Sequence, residues 1–293
     1  MNIKKSYLFL LLTSLSFIFS IACSACSLTR YNINGNEYDM FLNKEQNMLE
    51  HAKLSVVKVV ANYKVSIKLK SVTTTITASE ENDKTATGSI IKHYDDDTSL
   101  ILTAGHFCEP LEDKEIKFFF PYYNEKKHDV VIDRTFIIFD YDGNAHIGAV
   151  VSVNSVYDTC VILTKQINLP ALKIAPQLPR PSQHIYSINF PMGLWEKKYA
   201  PVFQGFFIGE IFTSHRSTYS FTLPTEHGCS GGAILDSNGN VVGMIHSFIK
   251  KFNLMTLAAT LPQIKDIIET SDYLYRLKPE SFILQIEEKE KSL

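Results

Sequence analysis

Three short segments carry residue types that together could cleave an acyl bond. In Leu102-Thr103-Ala104-Gly105-His106 an apolar run enters a glycine and then a histidine. In Tyr157-Asp158-Thr159-Cys160-Val161-Ile162-Leu163 an aspartate leads directly into a second apolar run. In Gly228-Cys229-Ser230-Gly231-Gly232-Ala233-Ile234-Leu235 a serine sits in a glycine-rich turn ahead of a third. A serine hydroxyl is a poor nucleophile at its own pKa and needs an imidazole to take its proton. The imidazole in turn needs a carboxylate to fix its tautomer and to stabilise it once protonated. His106 is therefore the candidate general base and then acid, Asp158 its orienter and Ser230 the nucleophile. Glycines beside the serine allow a tight turn, so that the N–H groups of Gly228 and Ser230 can aim at a developing oxyanion. Singly, each segment has an ordinary explanation: a hairpin turn, a surface histidine, an aspartate opening a strand. The order of the three, within one kind of structure, gives them meaning as a set.

That structure is all-β. From Lys53 onward, short runs of β-branched and aromatic residues recur at 54–60, 64–72, 88–92, 100–103, 117–120, 136–139, 147–153 and 160–163. They continue at 185–189, 201–211, 219–223, 233–235 and 241–245. Turn residues separate them, among them Asp142-Gly143-Asn144 and Ser237-Asn238-Gly239-Asn240. Many short strands with hairpin signals predict a sandwich or barrel. Near the C-terminus, Pro262 can open a helix whose face carries Ile264, Ile267 and Ile268.

Composition narrows the function classes. The 293 residues carry a formal net charge of −2, with 45% hydrophobic and 20% charged residues. Such a chain can bury a core, and its balance argues against a nucleic-acid partner, which calls for a basic excess or stripe. Lys4 and Lys5, the apolar stretch from Leu8 to Ile21 and the small residues Ala22, Ser24 and Ala25 read as a secretion signal. Its apolar run is shorter than the ~20 residues a spanning helix needs. Cys23 and Cys26 each follow an alanine, as in a lipoprotein signal, so either could carry a lipid tether to a membrane. Expected segments are a signal at 1–27, a linker ending in a short helix at 28–52, the β domain at 53–270 and a helical tail at 271–293, its charged end from Glu287 fraying. The protein is expected to be exported, to the periplasm, cell envelope or exterior. The five cysteines show no zinc-type pairing outside the signal, and no metal or organic cofactor is expected. Cys108 and Cys160 are either bridged or two small buried hydrophobes.

The segments resemble those of the trypsin-like, chymotrypsin-fold serine peptidases. Thr103-Ala104-Gly105-His106 is similar to that family's histidine motif, Asp158 to its aspartate and Gly228-Cys229-Ser230-Gly231-Gly232 to its serine motif. The run Ile185 to Gly193, with its Pro191 and Gly193, looks like the corresponding segment of the bacterial stress-protease and glutamyl-endopeptidase branches. Gly88-Ser89-Ile90-Ile91 resembles the strand before the histidine hairpin. The resemblance spans roughly residues 54–261. It implies two six-stranded antiparallel β-barrels with the active site in the cleft between them, a C-terminal helix, and a protein or peptide substrate. The residue before the serine is Cys229, not the aspartate that digestive members use for zymogen activation. Cysteine is also a nucleophile in viral relatives, but there it directly precedes the two glycines, a place held here by Ser230.

The resemblance also addresses specificity. Six residues before the nucleophile, where trypsin has an aspartate, stands Pro224, so no carboxylate awaits a basic side chain. Glutamate- and glutamine-cleaving relatives pair a threonine near the pocket floor, matched by Thr225, with a histidine two residues after the strand glycine. Here that place is Ile245, and His246 comes one later. Alternation along a strand turns His246 toward the Asp158 side, and only a local bulge would return it to the pocket. The expected pocket, with Thr225 and Ile245 inside and His227 at the rim, takes uncharged small-to-medium side chains. The competing class is a non-catalytic binding or decoy protein on the same fold. Such proteins usually lose a triad residue, and all three are present.

Overall fold

The computed structural model describes residues 35–69, 78–119, 124–125, 128–165, 167–212, 216–249 and 252–291. The signal segment, with Cys23 and Cys26, lies outside the described residues. The chain divides into two units, Met1–Gln46 and Asn47–Leu293. Of the first only helix is described: α1, Gly35–Lys53, which continues into the second. It spans 19 residues, longer than the linker with a short final helix that the polar composition suggested.

The second unit is two closed six-stranded barrels with every paired neighbour antiparallel. The first holds β1 (Val56–Leu69), β2 (Ala78–His93), β3 (Thr98–Ala104), β4 (His128–Phe139), β5 (Ala145–Asn154) and β6 (Thr159–Lys165), in the order β1-β2-β3-β6-β5-β4. The second holds β7 (His184–Ile188), β8 (Val202–Phe212), β9 (Ser217–Phe221), β10 (Ala233–Leu235), β11 (Val241–Ile249) and β12 (Phe252–Ala259), in the order β10-β11-β12-β9-β8-β7. Between β3 and β4 lie α2 (Gly105–Cys108) and α3 (Asp113–Phe119), and two helices end the chain, α4 (Leu261–Leu277) and α5 (Pro279–Glu290).

Alternation explains the barrels. On β1, Val57, Val59, Ala61, Tyr63 and Val65 point into the first barrel, with Lys58, Asn62 and Lys64 among the residues between them. The strands that bear the site behave differently. On β3, Ile101 faces the first barrel's interior while Leu100, Leu102 and Ala104 face a second cluster. On β6, Cys160 and Ile162 face inward while Val161 and Leu163 join that second cluster. It also contains Ile188, Phe190 and Leu235 of the other barrel and Ile264, Ile267, Tyr275 and Ile286 of the final helices. Both strands are thus buried on both faces, which is why their sequences are nearly unbroken apolar runs. Their ends are held on two sides by packed core.

Two local expectations are corrected. Residues 117–120 were expected as a strand, but α3 covers Asp113–Phe119. Asp113 and Glu115 occupy its first turn, where the helix dipole favours acids, and the Glu112 N–H donates to Glu115 Oε2 at 2.9 Å. The charged end of the chain was expected to fray from Glu287, yet α5 runs to Glu290. Ile286 is fully buried there and Lys165 Nζ lies 3.0 Å from Glu287 Oε1. Among the described residues no helix is long and apolar enough to cross a membrane.

Candidate active site

Strand register brings His106 and Asp158 together. β3 and β6 pair antiparallel with Ala104 opposite Thr159, so the residues just beyond that pair meet at one edge of the barrel. The imidazole Nδ1–H of His106 donates to both carboxylate oxygens of Asp158, at 3.0 and 3.1 Å, and the His106 backbone N–H donates to Oδ1 at 2.7 Å. This approach depends on Gly105: a Cβ there would stand 2.8 Å from the backbone carbon of Asp158 and 2.8 Å from the Thr159 nitrogen. Asp158 itself adopts a left-handed backbone, φ 55°, which aspartate tolerates better than most residues. Burial acts to raise its pKa, but the hydrogen bonds and charge of His106 outweigh it and hold the carboxyl below its ordinary value. It stays an anion at neutral pH.

A disulfide reinforces the pair. Cys108 and Cys160, each two residues beyond a proposed triad member, are bridged, with Cα atoms 6.4 Å apart. The sequence left this open, because spacing alone does not place the two Cα atoms. On the other side of the turn, Arg134 of β4 donates to the carbonyls of Cys108 and Glu109, at 2.5 and 2.7 Å, satisfying the open end of α2.

Ser230 comes from the second barrel and is seated by the first. The Thr87 N–H donates to the Ser230 carbonyl at 2.9 Å, and the Thr87 hydroxyl donates to the Gly228 carbonyl at 2.8 Å. The same hydroxyl oxygen accepts the Phe190 N–H at 3.0 Å. One threonine on β2 therefore joins three points of the second barrel. Gly228 (φ +92°) and Gly231 (φ +86°) both hold conformations that favour glycine. A Cβ on Gly231 would fall 2.0 Å from the Thr87 carbonyl oxygen, and one on Gly228 2.5 Å from that of Phe190. Among the described residues the N–H groups of Gly228 and Ser230 donate to no acceptor in the chain. His106, Gly228 and Ser230 line one cleft of about 500 Å³, walled by Lys84 and Glu115 on one barrel and Met192 and His227 on the other.

Cys229 faces the opposite way. It is buried, its Sγ donates to Asn189 Oδ1 at 2.9 Å, and burial pushes its thiol up to about 11. A thiol held neutral and out of the cleft is a poor nucleophile.

The expected specificity residues are distributed unevenly. His227 lies at the cleft wall, edge-on to Phe248. Pro224, Thr225, Ile245 and His246 do not border that cavity. Thr225 is buried with its hydroxyl bonded to that of Thr256, and Ile245 packs in the core of the second barrel with Cys229 and Phe221. His246 occupies a bulge in the β11–β12 register, between Ile245 and Ser247. Its Nδ1 accepts from Arg216 Nη2 at 3.1 Å, and Ser247 Oγ lies 2.8 Å from the same nitrogen. Burial and the Arg216 charge push His246 down to about 3, against a smaller opposing pull from Asp158, so its imidazole is neutral. Thr87 and Arg216 escaped the reading of the sequence, and Asn189 was read only as part of the Ile185 to Gly193 run. Thr87 and Arg216 belong to no motif, and all three act only once the two barrels or distant strands are brought together.

The trypsin-like peptidase domain family matches residues 86–244, more than half of the chain. This chain belongs to that family. Its class is that of the serine-type endopeptidases. Among curated proteins none matches the sequence. Solved structures share the fold at low identity. The active form of the Rv3671c protease from M. tuberculosis aligns with TM-score 0.55 and 15% identity, over 76% of this chain and 83% of its own. The serine endoprotease from Yersinia pestis aligns with TM-score 0.53 and 17% identity over 78% of this chain and 66% of its own. The HtrA-type protease AlgW with a decapeptide aligns with TM-score 0.55 and 16% identity, over 77% and 67%.

Proposed function

We propose that the protein is an exported endopeptidase that works through an acyl-enzyme on Ser230. In acylation the Ser230 oxygen attacks the scissile carbonyl carbon and passes its proton to His106 Nε2. The Gly228 and Ser230 N–H groups receive the oxyanion. The C–N bond then breaks and His106 returns the proton to the leaving amine. In deacylation, water takes the amine's place and His106 serves as base again. Asp158 stays ionised throughout and stabilises the imidazolium. The observation that carries this reading is the two-oxygen grip of Asp158 on His106 Nδ1, beside the Ser230 that shares its cleft. A peptide substrate is also supported by the AlgW neighbour, seen with a decapeptide.

Turnover of internally quenched peptides tests the mechanism. Ser230→Ala, His106→Ala and Asp158→Asn should each lower kcat by about 10⁴ or more, non-additively, with circular dichroism unchanged. An active Ser230→Ala beside an inactive Cys229→Ala would move the nucleophile to cysteine. On specificity, Pro224 leaves the pocket floor without a carboxylate and His246 is turned to Arg216, so uncharged side chains should precede the scissile bond. Strong cleavage after Arg, Lys or Glu in a peptide library would contradict this. Export is supported by the N-terminal pattern and by the Cys108–Cys160 bridge, which persists in oxidising compartments. Fractionation of the producing cell checks export, and metabolic labelling with palmitate checks a lipid on Cys23 or Cys26.

A further inference from the structure

The Asp158 carboxylate has a cation beside it in addition to the His106 imidazole. Arg216, just ahead of β9, brings Nη2 to 3.9 Å from Asp158 Oδ2, on a side chain only 19% exposed. The guanidinium is not left to wander: Nη1 donates to the Val156 carbonyl at 3.0 Å, and Nη2 to His246 Nδ1 at 3.1 Å. His246 is itself 4% exposed and displaced into the β11 bulge. A neutral imidazole can accept from a guanidinium, whereas an imidazolium would repel it. The nitrogen that aims Arg216 therefore has to stay unprotonated, and its burial beside Arg216 keeps it so.

We propose that Arg216, aimed by His246, is a positioning residue for Asp158, fixing its carboxylate and making His106 a weaker base than Asp158 alone would make it. The inference rests on the triad reading above. An anion beside an imidazole stabilises the protonated form, and a cation beside that anion cancels part of its field. Removing that cation is therefore expected to move the acid limb of activity toward neutral pH. Behind α2, Arg134 holds the carbonyls of Cys108 and Glu109, and the neutral His246 lies on the Asp158 side; the other charged groups near His106 line its cleft. They are the Lys84–Glu115 and Lys114–Glu112 ion pairs, with Glu109 and His227. Substitution of Arg216 leaves the cleft groups in place, so the shift it causes reports the side that holds Asp158 and His246.

The test is a titration of His106 in the full chain by NMR with ¹³C-labelled histidine, the signal assigned by its loss in His106→Gln. The measurement needs no turnover. In Arg216→Gln the His106 midpoint should rise by about 0.5 to 1 pH unit. The acid limb of kcat/KM should move by the same amount with KM little changed. Arg216→Lys keeps the cation and should stay near the wild-type midpoint. If Arg216→Gln fails to fold, His246→Phe, which removes the acceptor, should raise the midpoint by less, and His246→Asn should restore it. A His106 midpoint that does not move in Arg216→Gln, or in His246→Phe where that variant stands in, overturns the proposal. Failure of the triad reading would appear separately, as a wild-type protein that a fluorophosphonate does not label.

Discussion

Thr87→Val is the sharpest probe of how one barrel seats Ser230 of the other, the proposed nucleophile. The two side chains have nearly the same shape, so the substitution removes a hydroxyl and little else. Thr87 is fully buried, and its hydroxyl serves the Gly228 carbonyl at 2.8 Å and the Phe190 N–H at 3.0 Å. Each of these buried groups would lose its side-chain partner, at about 1–3 kcal/mol apiece. Burying a methyl in place of the hydroxyl offsets part of that loss, leaving a net cost of about 2–4 kcal/mol. A domain with an ordinary 5–15 kcal/mol of stability still folds. The Gly228 carbonyl belongs to the turn that carries the proposed oxyanion donors, so acylation should slow by about tenfold, short of the ~10²–10³ for losing a donor outright. Urea unfolding followed by circular dichroism reads the first effect, and the rate of fluorophosphonate labelling reads the second. Thr87→Ser, which keeps the hydroxyl, should resemble the wild type in labelling. A Thr87→Val protein within about 0.5 kcal/mol of the wild type that labels at the same rate would refute the seating role.

Four further outcomes follow from the same geometry. Gly105→Ala places a methyl 2.8 Å from Asp158 backbone, so His106 must back away, and kcat should fall at least about tenfold with the fold retained; unchanged kcat contradicts this. His246 titrates near 3 when folded and near 6.5 when unfolded, so the unfolded chain binds more protons between those values. Its contribution to stability is complete above about 6.5 and is lost as pH falls toward 3, at up to about 1.4 kcal/mol per pH unit; His246→Phe should flatten that slope in urea melts. Cys229 should resist iodoacetamide in the native protein and react once unfolded, and rapid native alkylation would contradict its buried thiol. Cys108→Ser with Cys160→Ser opens a bridge across a sequence separation of 52, a loss of up to about 4 kcal/mol, and an unchanged urea midpoint would show that the tie is idle.

The parts of the site that sit at strand ends were legible in the sequence. His106 and Asp158 each border an unbroken apolar run, because β3 and β6 are buried on both faces, and Gly228 and Gly231 mark a turn that other residues would strain. For His246, strand alternation pointed to the Asp158 side with a local bulge as the lesser alternative; the structure has a bulge at this residue and sets its Nδ1 against Arg216. Hidden from the sequence were the contacts made across large separations. Thr87 lies 141 residues from Gly228, and Arg216 lies 60 from Val156. Neither stands in a pattern that marks a role. The helix α3 was misread because Ile116, Lys117 and the aromatics after it look like a strand, while Asp113 and Glu115 in its first turn carry the opposite signal. The long strand β1 was read as two runs broken around Asn62, and β2 was read only from Gly88 because polar residues such as Asp83 and Lys84 fill its first half.

The central claim is that Ser230, and no other residue, forms the acyl-enzyme. Labelling the purified protein with a fluorophosphonate at neutral pH, followed by peptide mass spectrometry, tests it directly. One adduct per chain is expected, on the peptide containing Ser230, absent from Ser230→Ala and strongly slowed in His106→Ala. Equal labelling of wild type and Ser230→Ala, or an adduct on Cys229, would contradict it.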